Sequence, residues 1–242
     1  TGLLYEEVCS QDYQSETNIK KYKVAKKSCD EDEGCDITNP EDLSDGSKEG
    51  EKAKDTAKAI QCLIWGREIA LNPYLFKCSG YKSNPTAKEY IEASPKMLYI
   101  MKCIESVKNY HEEKNEEVSG QVLYLNYGVG TYSLIRDYLV EEIGYDLKEI
   151  GQISGKGSYI GKKRYSNKQM VADAFLGRKM NLEKSEYETF EKLNISDKER
   201  VKVLIGSNSI KEGINLQNKA SVLYNAFVDY NPTDQVQIEG RI

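Results

Sequence analysis

Histidine is almost missing from this chain, with His111 the single example in 242 residues. That scarcity removes the usual base from nucleophilic triads and the commonest ligand from transition-metal sites. The six cysteines (Cys9, Cys29, Cys35, Cys62, Cys78 and Cys103) do not replace it, because their spacing matches no zinc pattern. No metal site is expected, and His111 is given no role. Reduced thiols in an intracellular setting, nuclear or cytoplasmic, are the plain reading. No apolar run approaches the ~20 residues of a membrane span, so no membrane partner is expected. A basic excess is lacking as well: 34 Lys and Arg stand against 39 Asp and Glu, a net charge of −5. This argues against a uniformly basic nucleic-acid binder but leaves room for a local basic strip. No signal-peptide pattern or initiator methionine opens the chain, so "TGLLYEEV" reads as the middle of a longer protein, or as a processed or fragmentary end.

What is present is enough apolar matter for a core: 39% of residues are hydrophobic and 18 are tyrosines. Residues 1–59 are the exception. Lysine and acidic clusters alternate there with few large apolar side chains, so the segment cannot offset its ordering entropy and reads as a mobile insertion or linker. Residues 60–93 read as a helical segment and linker, with Ile60, Leu63, Ile64 and Ile69 at helical spacing and Asn72-Pro73 as the stop. From 94 onward the pattern changes. Ser94 and Pro95 open a helix whose apolar face is Met97, Leu98, Met101, Ile104 and Val107. Strands are expected within 120–128, 147–155, 199–207 and 220–227, with helices over 131–145 and 166–177 between them. Residues 178–198 read as a charged insertion. Strands alternating with helices at short spacing predict an α/β fold, a parallel sheet with helices on both faces.

Two glycine-rich stretches look like nucleotide sites and lack a required part. Gly128-x-Gly130-x-x-Ser133 approaches the dinucleotide fingerprint, but Asp146 stands before the next strand rather than at its end. A nicotinamide or S-adenosylmethionine enzyme stays open as an alternative. "GQISGKGS" (151–158) has one residue too few for a P-loop and carries Gly157 where the magnesium-binding hydroxyl belongs.

In "KVLIGSNSIKEGINLQ" (202–217), an apolar strand ends in Gly206-Ser207 and a polar turn reaches Glu212-Gly213-Ile214-Asn215. This resembles motif V of superfamily 2 helicases and translocases. The resemblance implies nucleic-acid contact by Ser207 and Asn208, and ATP-side positions at Glu212, Gly213 and Asn215. Further on, Gln237-x-x-Gly240-Arg241 resembles motif VI of the same superfamily. The resemblance implies that Gln237 and Arg241 serve the ATP phosphates, with Gly240 beside them. The residue type suits the chemistry, since a forked, permanently charged guanidinium stabilises charge developing on a transferred γ-phosphoryl group. "LIWGREIALNPYLF" and "SPKMLYIMKCI" resemble signatures of the SWI/SNF-type ATPases, with Pro95 where that family has glycine. "VLYLNYG" resembles the motif IV strand and adds Tyr127 as a nucleic-acid contact. Independently of the resemblance, "KGSYIGKKRYSNK" (156–168) holds Lys162, Lys163 and Arg164 among other cations, with no acid and with tyrosines interleaved, a pattern suited to phosphates.

The resemblance implies a RecA-like C-terminal helicase lobe over 94–242, cut short at its end, behind a helical and partly disordered insertion. ATP would lie between this lobe and a first RecA-like lobe of the same parent chain, which would hold the P-loop and Mg2+. The fragment alone would then be inactive. DNA is favoured over RNA as the nucleic acid. NTPases of large DNA viruses are a subfamily alternative, in which case the location would be a virion or viral factory. A RecA-like interaction module without catalysis is the remaining alternative.

Overall fold

The computed structural model describes residues 48–76, 81, 84–181, 186–193, 195, 199–211, 213–217, 219–227 and 232–241. The expected mobile insertion over 1–59 therefore lies mostly outside the described residues. Two compact units divide the chain, Thr1–Pro85 and Thr86–Ile242.

In the first unit, helix α1 spans Lys48–Leu71. It ends where the sequence places its stop, because the Asn72 side chain turns back to accept from the Tyr74 amide at 3.0 Å. Pro73 then starts a single 3-10 turn, Pro73–Leu75. Trp65 and Phe76 pack with ring centroids 5.6 Å apart.

The second unit opens with two capped helices. In α2 (Ala87–Glu92), Thr86 and Glu89 form a reciprocal capping box. In α3 (Pro95–Glu113), Ser94 accepts from the Met97 amide at 3.2 Å and Pro95 occupies the first helical position. Met97, Ile100, Met101 and Ile104 are its buried residues, so Ile100 replaces Leu98 and Val107 in the deepest stripe.

The sheet consists of β1 (Gly120–Tyr124), β2 (Ile150–Ser154), β3 (Gly157–Ile160), β4 (Lys163–Tyr165), β7 (Val203–Gly206) and β8 (Ala220–Asn225). Their spatial order is β4-β3-β2-β7-β1-β8. The β2-β7-β1-β8 core is parallel throughout. Its central strands β1 and β7 are buried along their whole length, as strands covered on both faces must be. Between β1 and β2 runs α4 (Tyr132–Glu141), and Gly144, at φ 79°, supplies the left-handed residue that ends that segment. Helix α5 (Lys168–Phe175) precedes β7, and α6 (Pro232–Glu239) follows β8.

Alternation along β1 assigns the faces. Val122 and Tyr124 join Val171 and Phe175 of α5 and Ile238 of α6 in one buried cluster. Gln121 faces the other way, where its amide donates to the Tyr145 hydroxyl at 2.9 Å and to the Ile104 carbonyl of α3 at 3.4 Å. Gln152 reaches the Tyr132 carbonyl at the start of α4 on that same side. Helices thus cover both faces, and the fold is α/β with a RecA-like, mostly parallel sheet.

Two stretches differ from the sequence expectation. The basic strip over 156–168, where no strand is expected, is largely strand: Gly155-Lys156 makes a tight turn and the chain returns as antiparallel strands β3 and β4. The charged insertion holds a second antiparallel pair, β5 (Arg178–Asn181) and β6 (Glu186–Thr189). Arg178 anchors that hairpin, donating to Asp173 at 2.8 Å and lying 5.1 Å from the Tyr187 ring centre. Both segments are rich in charge, and cross-strand pairing holds them without the apolar alternation by which strands are usually recognised. No described helix is long and apolar enough to cross a membrane.

Candidate nucleic-acid and nucleotide interface

Parallel strands deliver their next residues to one rim, and in open α/β sheets ligands collect beyond those carboxyl ends. At this rim β1 is followed by Asn126 and Tyr127, and β7 by Ser207 and Asn208. The two loops are hydrogen-bonded to each other. The Asn208 amide donates to Asn126 Oδ1 at 2.9 Å, and the Tyr124 hydroxyl donates to Asn208 Oδ1 at 2.7 Å. With Oδ1 engaged, Nδ2 of the exposed Asn208 is the group available to an outside acceptor such as a phosphate oxygen. Ser207 is buried, and its amide donates to the Ile153 carbonyl at 3.1 Å.

Behind Ser207 stands Tyr132, whose hydroxyl donates to the Leu125 carbonyl at 2.6 Å and meets the Ser207 side chain. Burial holds the Tyr132 phenol well above its ordinary pKa, and the nearby Tyr90 adds to the effect. It stays a neutral donor at any physiological pH. Tyr127 stacks obliquely on Phe227 from the end of β8, with centroids 4.7 Å apart. Lys96 donates to the Ala226 carbonyl at 3.4 Å and Lys168 to the Ser209 carbonyl at 3.0 Å, which brings two cations to this rim. A third, Lys156, sits in the β2–β3 turn with its Nζ close to Gly130.

Lys162 and Lys163 occupy the other end of the sheet. β3 runs antiparallel to β2, so its far turn returns to the start of that strand, where the Gly161 amide donates to the Ile150 carbonyl at 2.8 Å. Arg164 pairs in register with Tyr159 on edge strand β4. All three cations are exposed. The sequence grouped them with Ser207, Asn208 and Tyr127, whereas the fold sets the hairpin tip apart from that rim.

The residues expected on the ATP side fall in a second patch. After β7 the chain makes a 3-10 turn (Asn208–Ile210) and passes through Gly213, which at φ 67° needs the left-handed region. Glu212 lies outside the described residues. Ile214 and Leu216 then plunge into the core beside Ile238 of α6. Around them runs a seam: the Leu216 amide donates to the Arg241 carbonyl at 2.8 Å, and Gln217 Nε2 to the Gly240 carbonyl at 2.8 Å. Asn215 is exposed, with its side chain folded onto its own loop to accept from the Gln217 amide at 3.0 Å. Gln237 and Gly240 are exposed and Arg241 is half-buried. Among the described residues no carboxylate lies within ion-pair distance of Arg241. An exposed amide and an uncompensated guanidinium one helical turn apart fit an anionic phosphate group.

Sequence reasoning did not single out Tyr124, Tyr132, Lys96 or Lys211 (below). In the sequence the tyrosines look like ordinary core aromatics, and only the packed sheet shows where their hydroxyls end. In comparison with known proteins, no family model and no curated protein matches this sequence.

Proposed function

We propose that this chain supplies the second RecA-like lobe of an ATP-dependent nucleic-acid translocase or helicase. One observation carries the reading. The loop after β7 and the end of α6, which the sequence holds as two separate motif-like stretches, are sewn together through Leu216–Arg241 and Gln217–Gly240. The loop proposed to grip nucleic acid and the turn that carries Arg241 just after α6 therefore share one seam, which a machine that links strand grip to ATP chemistry requires. Asn208, Ser207 and Tyr127 grip the backbone at the carboxyl rim, and Lys162, Lys163 and Arg164 neutralise phosphates elsewhere along the strand. Gln237 and Arg241 approach the phosphates of ATP bound on a partner RecA-like lobe. That lobe would hold the P-loop and Mg2+, and the ion would neutralise charge on the phosphate oxygens. Gly213 and Gly240 keep the approach free of side chains, with Glu212 and Asn215 on the intervening loop. DNA is the first nucleic acid to test.

The deciding experiment is the DNA-stimulated ATPase of the parent protein carrying Arg241→Ala. Loss of an arginine acting on the transferred phosphoryl group lowers the rate by about 10³-fold or more. An undiminished rate sinks the reading and favours a non-catalytic interaction module. A nicotinamide or S-adenosylmethionine enzyme is tested by titrating this chain with either compound, where micromolar binding would replace the translocase reading. The exposed position of Ser133 speaks against that alternative, since the fingerprint needs its third small residue packed between helix and strand.

A further inference from the structure

Lys211 is an unusual residue to find in a core. It directly follows the 3-10 turn at Asn208–Ile210, and its side chain is only 5% exposed. Burying an ammonium is costly unless it is compensated, so its surroundings show what it is for. Two of them are informative. Its Nζ lies 5.1 Å from the centre of the Tyr124 ring and 3.7 Å from Asp234 Oδ1 in the first turn of α6. Tyr124 is the last residue of β1, and its hydroxyl is the group that holds Asn208 Oδ1 at 2.7 Å.

From these contacts we infer that Asn208, Tyr124, Lys211 and Asp234 form a positioning relay that transmits the state of the nucleic-acid loop to the ATP-facing helix. The inference rests on the translocase reading for the meaning of its two ends, while the mechanical link stands on its own geometry. Each connection is directional. If a backbone phosphate draws Asn208 outward, the hydroxyl of Tyr124 must follow or lose its acceptor. The Tyr124 ring is the face on which the Lys211 ammonium rests, so its tilt moves the cation relative to Asp234. Asp234 stands one helical turn before Gln237, and the far end of the same short helix is already stitched to Leu216 and Gln217. A displacement at Asp234 therefore turns α6 about that seam and re-aims Gln237 and Arg241. A strand end, a ring and a buried charge make a stiffer link than a solvated loop, and coupling between sites needs such a contiguous element. Tyr124, Lys211 and Asp234 are positioning residues in this relay, acting through Asn208 and α6.

Hydrogen exchange on this chain tests the relay. Asp234 is partly exposed, so Asp234→Asn leaves the fold intact while weakening the Lys211 contact. The expected result is exchange at least tenfold faster at Asn208, Ile210 and Lys211 as well as in α6, with β1 and β7 amides unchanged. Tyr124→Phe, which keeps the ring and removes the hydroxyl, gives the reciprocal effect in α6. Lys211→Met does the same to both ends, and Lys211→Arg restores protection because it keeps the charge over the ring. Faster exchange confined to α6 in Asp234→Asn, with Asn208 unaffected, overturns the relay. In the parent protein the same variants lose most of the stimulation of ATPase by DNA. A parent without DNA-dependent ATPase would end the translocase reading, and the exchange experiment would still decide the relay.

Discussion

Arg200 is the largest wholly buried side chain in the described structure, and nothing in its local sequence, "SDKERVKV", distinguishes it from a surface cation. Its guanidinium is spent on structure. Nε meets Glu117 Oε1 at 2.8 Å, Nη1 the Phe175 carbonyl at 3.4 Å and Nη2 the Val118 carbonyl. Its stem also fills the space above Gly177, where an added Cβ would come within 3.2 Å of the Arg200 Cδ. Arg200→Met keeps the stem and strands two carbonyls, so it costs about 3 kcal/mol in urea unfolding. Glu117→Gln should cost less, about 1–2 kcal/mol, since that side chain is 42% exposed and the amide keeps an acceptor for Nε, although the buried guanidinium loses its carboxylate. Equal effects from the two variants would show that the carbonyl contacts matter little. At this scale legibility follows how near in sequence a residue's partners lie. The sequence identified Ser94, Pro95 and Asn72, whose caps depend on neighbours two or three residues away. It could not identify Arg200 or Lys211, whose partners lie on other elements.

The β3–β4 hairpin shows the same division among elements. Composition marked its charge correctly, but only strand pairing shows that the cations of its tip are held at the end of the sheet away from Ser207 and Asn208. Placing Lys and Arg on edge strand β4 also discourages pairing with another chain, so phosphate binding needs its own test. Charge reversal of Lys162, Lys163 and Arg164 should flatten the salt dependence of binding to single strands of about 20 nucleotides. With three phosphate contacts removed, the logarithmic slope falls by about 2. Binding of a strand of about 6 nucleotides, short enough for one subsite, should be unaffected. An unchanged slope on the longer strand would leave the hairpin with edge protection alone. The C-terminal seam gives a second prediction at this scale. Gln217→Ala removes one of the two hydrogen bonds that hold the end of α6, so helix opening there should become easier by about 1 kcal/mol in hydrogen exchange. Its signal in sequence was weak: a glutamine on a polar turn has no visible partner until residue 240 folds back beside it.

The whole second unit is tyrosine-rich, and several of those phenols are buried: Tyr90, Tyr132 and Tyr145 are each nearly inaccessible. Burial pushes Tyr90 up to about 12, and holds Tyr132, Tyr145 and Tyr224 well above the ordinary range. The sign of the consequence is fixed. In the unfolded chain these groups ionise near pH 10, while the folded protein keeps them neutral and so binds more protons. Stability is therefore intact below about pH 10 and declines above it, by about 1.4 kcal/mol per pH unit for each fully shifted tyrosine. Urea midpoints between pH 8 and 12, read together with tyrosinate absorbance, check this. Tyr90→Phe should shallow the decline, and a flat profile would mean that the buried phenols ionise without unfolding the sheet.

The alternation of short apolar strands with amphipathic helices was enough to predict an α/β sheet covered on both sides, because periodicity and burial are local consequences of sequence. The helix starts and the glycine stop after α4 were legible for the same reason. Tertiary structure alone decided which residues meet. It joined Leu216 to Arg241, put Lys211 between Tyr124 and Asp234, set Asn208 between Tyr124 at the end of β1 and Asn126 just beyond it, and moved Lys162 and Lys163 to the other end of the sheet. Those contacts depend on strand order and register, which arise when segments far apart in the chain share one sheet, and no single stretch of sequence carries them.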